Sequence, residues 1–497
     1  MRGGNVHAKA KEAVTPHPAP GPAAVVVGGG MSGLLAAREL AMAGTSVTIL
    51  EANDAWGGCV GSHVVAGLTL DSGAESFATR STAVADLARE LGLESRIVSP
   101  HPGGAWVQLP DGPQELPKTG VLGIPANPWD AEVRRSLGLS GAVRASLDRW
   151  LPASLGTSSE VTSVSALVRA RMGKKVLERL VAPVVGGVHS ADPGLLDVDM
   201  VAPGLRAGLR KHGSLAAAVA AQRKAAPGPG SAPAKAGSAV GGLKGGMNTL
   251  VSALVKDLRD RGVEMLSGKR VDFVSKTGNG WRVTAGETTY DAGRLVVALD
   301  GPAAVGLLET AIPELAGLRP AAGPLVSLVT MVVDLPELDG RPRGTGILVA
   351  PQTPGIQAKA LTHATAKWDW LAEEAGPGTH VLRLSYGRRE DAEGGAPDRV
   401  MRDEELLAAA LDDASALLTV PVSRADIVDW DVVRWAGALP FAAVGHKQRV
   451  AQVRKLCAAA DGLTVVGGWL AGNGLAAVVA DTRSQLAQGI IGDRPIS

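Results

Sequence analysis

The chain has 497 residues, of which 45% are hydrophobic, and its 50 Lys and Arg residues balance 49 Asp and Glu residues. That length is enough to bury several packed layers in about two domains. The balanced charge excludes a global field that would attract nucleic acid. The two distant cysteines, Cys59 and Cys457, exclude a disulfide framework and show no metal-ligand spacing, which fits a reducing, cytoplasmic compartment.

The N-terminal stretch carries no targeting signal that we recognise. Residues 1–22 are basic and proline-containing, without the apolar centre of a signal peptide, and predict a disordered tail. No uncharged apolar run reaches about 18 residues, so no transmembrane helix is predicted. We therefore expect at most a peripheral contact with the inner face of a membrane.

Residues 25–51 predict a strand, a glycine turn, a helix and a second strand that ends in an acid. Gly28 allows the tight turn, Gly30 lets a pyrophosphate approach the backbone, and Gly33 lets the helix pack closely on the sheet. Glu51 stands where a carboxylate can accept the hydroxyls of an adenosine ribose. With all these parts in register, a nucleotide-binding βαβ unit is favoured over an ordinary buried turn.

The middle of the chain changes character twice. Residues 161–223 predict helices, with apolar positions at helical spacing up to Pro183, and the low-complexity stretch 225–240 predicts a flexible surface insertion. The α/β pattern then returns. An amphipathic helix is followed by a predicted strand at residues 270–274, and a later apolar strand is predicted to end in a turn at Gly301.

The C-terminal part predicts a third piece of the same nucleotide-binding unit. A buried strand at residues 463–466 runs into Gly467 and Gly468, and a loop containing Gly472 and Gly474 precedes a helix. The N-terminus of that helix could direct its dipole toward the electron-rich end of a bound cofactor.

Several segments occur in the order and spacing of one flavoenzyme family. They are a paired glycine at Gly57 and Gly58, DSGAESFATR, RLVAPVVGGVHSADP, LKGGMNTLVSAL, AKALTHATAKWDW and VVRWAGALPFAAVGH. On these motifs the chain resembles the bacterial FAD-dependent coproporphyrinogen III and protoporphyrinogen IX oxidases, over residues 24 to 492 or so. The resemblance implies an α/β, two-dinucleotide-binding-domain flavoprotein with FAD as cofactor and an α+β substrate domain.

The resemblance also implies how the chain is divided. We expect a discontinuous Rossmann-like FAD-binding domain at 23–94, 241–301 and 426–497, a mixed-sheet substrate-binding domain at 95–115 and 302–425, and a helical middle domain at 116–224.

Cofactor and substrate contacts follow from the motif match. The residues expected at the cofactor are Gly28, Gly29, Gly30, Met31, Ser32, Gly33, Glu51, Ala52, Gly57, Gly58, Cys59, Gly73, Ala74, Glu75, Ser76, Val271, Trp435, Gly468, Gly472, Gly474, Leu475 and Ala476. The residues expected at the substrate are Arg80, His189 and Lys359. An inert thiol is the alternative for Cys59, a core tryptophan for Trp435, a solvated charge for Arg80 and a packing role for His189.

At two positions the chain lacks an Arg that is expected from the family pattern. Trp56 stands where family members commonly have an Arg before the paired glycine, which removes one charge near the cofactor. Gly103, Gly104 and Ala105 stand where the mitochondrial and chloroplast enzymes carry an Arg that grips a propionate. Its absence resembles the Gram-positive enzymes, which prefer coproporphyrinogen.

The implied activity is a six-electron oxidation of coproporphyrinogen III to coproporphyrin III, in which FAD takes hydride and molecular oxygen becomes hydrogen peroxide. The flavin itself accepts the hydride, so no side-chain base is required and none is assigned. A downstream heme-pathway enzyme is a candidate partner.

Three alternatives remain open. One is oxidation of protoporphyrinogen IX, and another is a flavin amine oxidase or carotenoid desaturase, although 3% aromatic residues leave little material for an amine cage. The third is a non-catalytic binding protein on the same fold, which the intact glycines and Glu51 disfavour.

Overall fold

The computed structural model describes residues 23–117, 120–158, 162–225, 239–387, 401–437 and 442–492. The predicted tail at 1–22 and nearly all of the predicted insertion at 225–240 lie outside these described residues. Helices and sheets alternate along the chain, which confirms the predicted α/β class.

Strands and helices have the following bounds. The strands are β1 (Ala24–Val27), β2 (Val47–Leu50), β3 (Ser62–Val65), β4 (Leu68–Asp71), β5 (Phe77–Ala78), β6 (Ile97–Val98), β7 (Trp106–Leu109), β8 (Gly112–Glu115), β9 (Val240–Leu243), β10 (Glu264–Leu266), β11 (Phe273–Thr277), β12 (Gly280–Ala285), β13 (Thr288–Ala292), β14 (Arg294–Val297), β15 (Leu325–Asp334), β16 (Gly346–Val349), β17 (Ala360–His363), β18 (Thr379–Tyr386), β19 (Ile427–Ala436) and β20 (Leu463–Val465). The α-helices are α1 (Met31–Met42), α2 (Ala83–Glu90), α3 (Ala131–Ser146), α4 (Val164–Met172), α5 (Lys174–Val176), α6 (Ala182–His189), α7 (Val198–Val201), α8 (Leu205–His212), α9 (Leu215–Ala225), α10 (Asn248–Asp260), α11 (Gly301–Leu308), α12 (Ala364–Lys367), α13 (Asp369–Ala375), α14 (Asp403–Leu418), α15 (His446–Ala458), α16 (Gly468–Ala471) and α17 (Leu475–Gly492).

A five-stranded parallel sheet has the order β10-β2-β1-β14-β20. Its strands come from three separate parts of the chain, and apolar side chains bury it against α1, α10 and α17. Parallel strands end at one common edge of the sheet. The turn after β1 and the loop after β20 therefore lie on the same edge, although more than 400 residues separate them.

A seven-stranded mixed sheet has the order β19-β15-β18-β17-β16-β7-β8. All its pairings are antiparallel except that of β16 with β7. One face packs on α14. Strand β19 pairs with β15 here, so this part of the predicted 426–497 segment belongs to the mixed sheet.

Helices α3 to α9 form a separate apolar cluster in the middle of the chain. The predicted helical stretch does not stop at Pro183, because a π turn at Leu177–Val181 leads into α6 and places the proline in the first turn of that helix. Proline is tolerated there, since the first N–H groups of a helix have no intrahelical acceptor.

Two local predictions are wrong in detail. The strand that follows α10 in the parallel sheet is β10, whereas residues 270–272 lie outside the strands and β11 belongs to a three-stranded antiparallel sheet. Gly301 begins α11 rather than a simple turn, because the Asp300 side chain accepts the N–H of Ala303 and caps the helix. Among the described residues, no helix combines the length and apolar character needed to cross a bilayer.

Candidate active site

Three glycines shape the turn between β1 and α1. Gly28 has a φ of +105°, in the region that favours glycine. A Cβ on Gly33 would lie 1.8 Å from the carbonyl oxygen of Gly28, so α1 packs against the turn with no room for a side chain. A Cβ on Gly30 would meet no atom within 4 Å. The turn therefore leaves an open cradle, which fits a pyrophosphate that approaches the backbone.

The paired glycine lies against this turn. The N–H of Gly57 donates to the carbonyl oxygen of Gly29 at 2.8 Å, and Gly57 forms a parallel bridge with Gly30. A Cβ on Gly58 would lie 3.3 Å from the Cα of Gly30. The two glycine segments, which the sequence places about 27 residues apart, thus form one surface.

Glu51 is 9% exposed and lies at the end of β2. Its Oε2 accepts the N–H of Gly29 at 2.6 Å, and its Oε1 accepts the backbone N–H and the side-chain amide of Asn53, each at 2.8 Å. The following Ala52 is exposed. Glu51 is therefore held in place, and carboxylate oxygens with further lone pairs can still accept ribose hydroxyls.

The segment that leads to Val271 lies beside this acidic residue. The N–H of Lys269 donates to the carbonyl oxygen of Glu51 at 2.7 Å, and the N–H of Gly268 donates to that of Asn53 at 3.0 Å. These bonds bring the segment before β11 beside the end of β2. Val271 itself packs against the apolar cluster that contains Leu50, the last residue of β2.

Trp56 fills space beside the glycine turn. A Cβ on Gly29 would lie 2.5 Å from Cε3 of the Trp56 ring. The residue that replaces the expected Arg is therefore an apolar wall of the turn and contributes no charge.

Residues 73–76, which include the predicted Gly73, Ala74, Glu75 and Ser76, run beside Cys59. The N–H of Ala74 donates to the carbonyl oxygen of Cys59 at 2.9 Å, and a Cβ on Gly73 would lie 2.1 Å from that oxygen. Cys59 is exposed to solvent, yet the protein atoms around its thiol desolvate it and raise its pKa.

Trp435 joins this segment from β19. Its Nε1–H donates to the carbonyl oxygen of Ser72 at 2.7 Å, and a Cβ on Gly61 would lie 3.9 Å from the ring. The predicted residues Trp435, Cys59 and 73–76 are therefore neighbours.

Glu75 forms ion pairs with two cations, one from β18 and one from α12. Its Oε2 lies 2.9 Å from Arg383 Nη2 and 3.5 Å from Lys367 Nζ. Burial by itself would raise the pKa of Glu75, but Arg383 and Lys367 outweigh it and hold the pKa below its ordinary value. Glu75 is thus an anionic anchor.

Asp71 behaves differently although it is only four residues away. Its carboxylate accepts the N–H groups of Met247 and Asn248 at 3.0 and 3.2 Å, at the start of α10. Burial raises the pKa of Asp71 to about 6, and the nearby charge of Glu75 adds to that shift. This carboxylate links the β3–β4 hairpin to the parallel sheet.

The loop after β20 is open on the cofactor side of the sheet. Gly468 begins α16, and Gly472 and Gly474, with φ of +98° and +108°, flank Asn473. A Cβ on Gly472 or Gly474 would meet no atom within 4 Å. At both glycines, as at Gly30, the backbone therefore lies next to open space.

The first residues of α17 close the set of cofactor candidates. Leu475 and Ala476 pack in the same apolar cluster as Met31 and Ala74. Ser32 is buried in the first turn of α1. The predicted cofactor residues from all three parts of the chain therefore surround one edge of the parallel sheet, and the open glycine positions among them fit FAD.

Two of the three predicted substrate residues meet, and the third does not. Lys359 is 1% exposed, and its Nζ donates to Ser190 Oγ at 2.6 Å, next to His189. His189 is 7% exposed and contacts Asn473, and burial lowers its pKa to about 4. Arg80 is exposed and follows β5. Lys359 is therefore too deeply buried to contact a bound substrate in this conformation.

Sequence reasoning missed Arg383, Lys367, Ser190 and Asn473 at the site. Lys367 lies in the AKALTHATAKWDW segment and Asn473 between two predicted glycines, so proximity to a motif was a usable signal for both. Arg383 gives no such signal, because only strand pairing brings it to Glu75.

One cavity lies away from the site. It has a volume of about 350 Å³ and lies between α15, α17 and β20, where Arg454, Cys457 and Gln485 contribute to its lining. None of the predicted cofactor or substrate residues lines it, and we assign it no role in the chemistry.

Comparison with known proteins agrees with this geometry. Residues 31–482 match the family described as flavin containing amine oxidoreductase. A coproporphyrinogen III oxidase of Mycobacterium leprae is 31% identical over 86% of this chain and 90% of its own length, and one of Bacillus subtilis is 26% identical over 91% and 94%. A chloroplastic/mitochondrial protoporphyrinogen oxidase 2 of Arabidopsis thaliana is 29% identical over 47% of each chain.

Solved structures show the same fold. A protein of Exiguobacterium sp. 255-15, assigned as a protoporphyrinogen oxidase, matches with a TM-score of 0.76 and 24% identity over 95% of this chain and 99% of its own. Cyclohexylamine oxidase of Brevibacterium oxydans matches with a TM-score of 0.67 and 16% identity over 96% and 100%. The predicted fold and the predicted FAD cofactor are thereby confirmed, and the chain belongs to the flavin-containing amine oxidoreductase family.

Proposed function

We propose that this chain oxidises coproporphyrinogen III to coproporphyrin III, with FAD as the hydride acceptor and molecular oxygen as the final electron acceptor. The observation that carries the proposal is likeness over nearly the whole chain to coproporphyrinogen III oxidases of several bacteria. The fold adds support, because Arg383 ties the segment predicted at the flavin directly to the seven-stranded sheet predicted to hold the substrate.

The chemistry assigned to the protein is binding and orientation. Bound FAD supplies the electron acceptor. Glu75 is paired with Arg383 and Lys367 and is not free to take a proton. His189, with a pKa of about 4, is a poor base at neutral pH. These observations support a reaction in which ring protons leave to solvent.

The segment predicted to decide substrate choice, Gly103 to Ala105, has no basic residue of its own. Gly103 and Gly104 lie against Gly344, whose Cβ, if present, would be 2.4 Å from the carbonyl oxygen of Gly104. Arg343, next to Gly344, brings its guanidinium over the Trp106 ring at 4.8 Å, so the support for coproporphyrinogen over protoporphyrinogen is the lack of an Arg in the segment 103–105 itself. Arg80, exposed beyond β5, is our candidate for a propionate contact, since an arginine pairs well with a carboxylate.

The test is anaerobic addition of each porphyrinogen, at equal concentration, to the holoprotein, followed by oxygen. Flavin absorbance reports reduction and porphyrin fluorescence reports product. We expect the flavin to bleach faster with coproporphyrinogen III and to recover when oxygen is admitted. Faster bleaching with protoporphyrinogen IX would reverse the substrate assignment, and a flavin that stays oxidised with both would remove the porphyrinogen proposal.

We also propose a peripheral membrane contact at one face of the middle region. Leu139, Val143, Leu147 and Trp150 recur along α3 and the turn after it, and each is at least 43% exposed. The Arg149 guanidinium stacks on the Trp150 ring at 3.8 Å. An apolar stripe with basic neighbours is the composition that favours an anionic bilayer surface.

Sedimentation with vesicles tests this contact. The full chain should bind phosphatidylglycerol vesicles more than phosphatidylcholine vesicles, and Leu147→Asp should reduce that binding. Val64→Asp, which changes a 67% exposed residue on β3, is the matched control. Equal binding by wild type and Leu147→Asp would contradict the proposal and direct attention to a protein partner, such as the enzyme that next uses the porphyrin.

A further inference from the structure

Three parts of the fold meet at the C-terminal end of α6. His189 is the last residue of that helix, and Ser190 follows it in the left-handed conformation, with a φ of +52°. Lys359, beside β17 of the substrate sheet, donates to Ser190 Oγ at 2.6 Å. Asn473, from the loop between α16 and α17, contacts His189. The end of α6 is therefore tied both to the substrate sheet and to the cofactor loop.

The contact between His189 and Asn473 is a single short hydrogen bond. Asn473 Nδ2 lies 2.7 Å from His189 Nδ1. With the amide in this orientation, Nδ2 donates and the unprotonated Nδ1 accepts, which leaves the ring proton on Nε2. The ring is neutral at physiological pH because it is buried. In this tautomer His189 holds the amide with the carbonyl oxygen of Asn473 pointing away from the histidine.

That carbonyl oxygen lacks a partner. Asn473 Oδ1 is buried and has no hydrogen-bond partner in the described part of the chain. The glycines on either side adopt positive φ, and neither would meet an atom within 4 Å if it carried a Cβ, so the loop has room to adjust. A buried carbonyl oxygen is costly to leave unpaired, which points to a donor that the chain does not supply.

We propose that Asn473 is a direct ligand of bound FAD, with its side-chain oxygen accepting an N–H of the isoalloxazine ring, and that His189 is the positioning residue that holds the amide in that orientation. The inference rests on the FAD cofactor of the family and not on the choice of porphyrinogen. It gives His189 a role at the flavin.

The anchor at Ser190 makes the proposal testable. Because Lys359 holds the end of α6 independently, His189→Phe should remove the hydrogen bond to Asn473 while the helix stays in place. His189→Gln keeps an acceptor that can reach the amide. Val188→Ala changes the neighbouring residue, which is 54% exposed, and serves as the matched control.

The experiment titrates apoprotein with FAD and records the flavin absorption spectrum, with no porphyrinogen present. We expect His189→Phe and Asn473→Ala each to weaken FAD binding about five- to tenfold, as the loss of one net hydrogen bond would. Both should alter the flavin spectrum in the same way. His189→Gln and Val188→Ala should retain wild-type affinity and spectrum.

The double variant distinguishes a positioning role of His189 from a role in packing alone. If His189 acts through Asn473, His189→Phe combined with Asn473→Ala should bind FAD about as weakly as either single variant, because the effects are not additive. Additive losses, or a wild-type flavin spectrum in Asn473→Ala, would overturn the proposal. Both readouts precede catalysis, so a wrong substrate assignment would leave them unchanged.

Discussion

Arg383 Nη2 lies 2.9 Å from Glu75 Oε2, and this ion pair joins strand β18 of the mixed sheet to the segment before β5. The same guanidinium donates to the carbonyl oxygens of Asp71 and Gly73 at 3.1 and 2.9 Å. Arg383 therefore fixes both the carboxylate and the backbone of the segment predicted at the flavin. Lys367 adds a second positive charge to Glu75.

Arg383→Met should destabilise the protein and weaken FAD binding. Both partners are largely buried, so removal of the arginine leaves a buried carboxylate that only Lys367 still neutralises. Breaking such a pair costs about 3 kcal/mol. Thermal unfolding of the apoprotein and FAD titration measure the two effects. Arg282→Met breaks the exposed Arg282–Asp291 pair and should leave both values unchanged, whereas equal behaviour of the two variants would show that the buried pair is not an anchor.

Two glycine-to-alanine changes should affect different properties, one the stability of the apoprotein and the other its affinity for FAD. Gly33→Ala places a Cβ 1.8 Å from the carbonyl oxygen of Gly28, so we expect a loss of about 2 kcal/mol or more in apoprotein stability. Gly30→Ala meets no atom within 4 Å and has an ordinary φ of −72°, so the apoprotein should keep its unfolding temperature. The added methyl group should instead obstruct the cofactor and weaken FAD binding. Normal FAD affinity in a folded Gly30→Ala variant would contradict the cradle at this turn.

Local patterns predicted the parts of the site that local chemistry determines. The glycine turn, the helix after it and the acid at Glu51 follow from residue type and spacing within about 30 residues, and their elements lie where the pattern placed them. The partners of Glu75 could not be predicted this way. Arg383 reaches it only because the alternation along β18 points this side chain toward the segment that contains Gly73 and Glu75, about 300 residues earlier in the chain, and that depends on how the two sheets pack.

Arg171→Met should unfold the helical middle region. Arg171 is fully buried, its Nε lies 2.6 Å from Asp148 Oδ1, and its other nitrogens donate to several carbonyl oxygens that end the turns around it. Loss of the cation leaves the buried Asp148 carboxylate with only the N–H of Ala216 as a donor and removes the arginine's hydrogen bonds from the surrounding carbonyl oxygens, which costs about 3–5 kcal/mol. Faster amide hydrogen exchange in α4 and α9 would report the effect. The exposed Arg149 is the matched control, and Arg149→Met should retain wild-type protection.

The stability of the protein should fall as the pH drops from about 6.5 toward 3, because buried histidines, among them His363 and His380, must charge. His363 Nε2 lies 3.0 Å from His380 Nδ1, and His380 Nε2 lies 3.1 Å from Asp339. Burial, with the neighbouring His380 and Arg341, lowers the pKa of His363 from 6.5 to about 3, and burial lowers that of His380 as well. Between those pH values the unfolded chain binds more protons than the folded one, so the folded state loses stability on acidification and keeps it in full above about pH 6.5.

His363→Gln should make that dependence shallower. One fewer buried histidine removes about one proton from the difference between the two states, which lowers the slope by at most about 1.4 kcal/mol per pH unit. The measurement is the free energy of unfolding in urea between pH 4 and about 7. His212→Gln, at the exposed end of α8, controls for the loss of a histidine and should keep the wild-type slope. An unchanged slope in His363→Gln would mean that acid sensitivity arises from other groups, of which Glu75, with its lowered pKa, is the next to test.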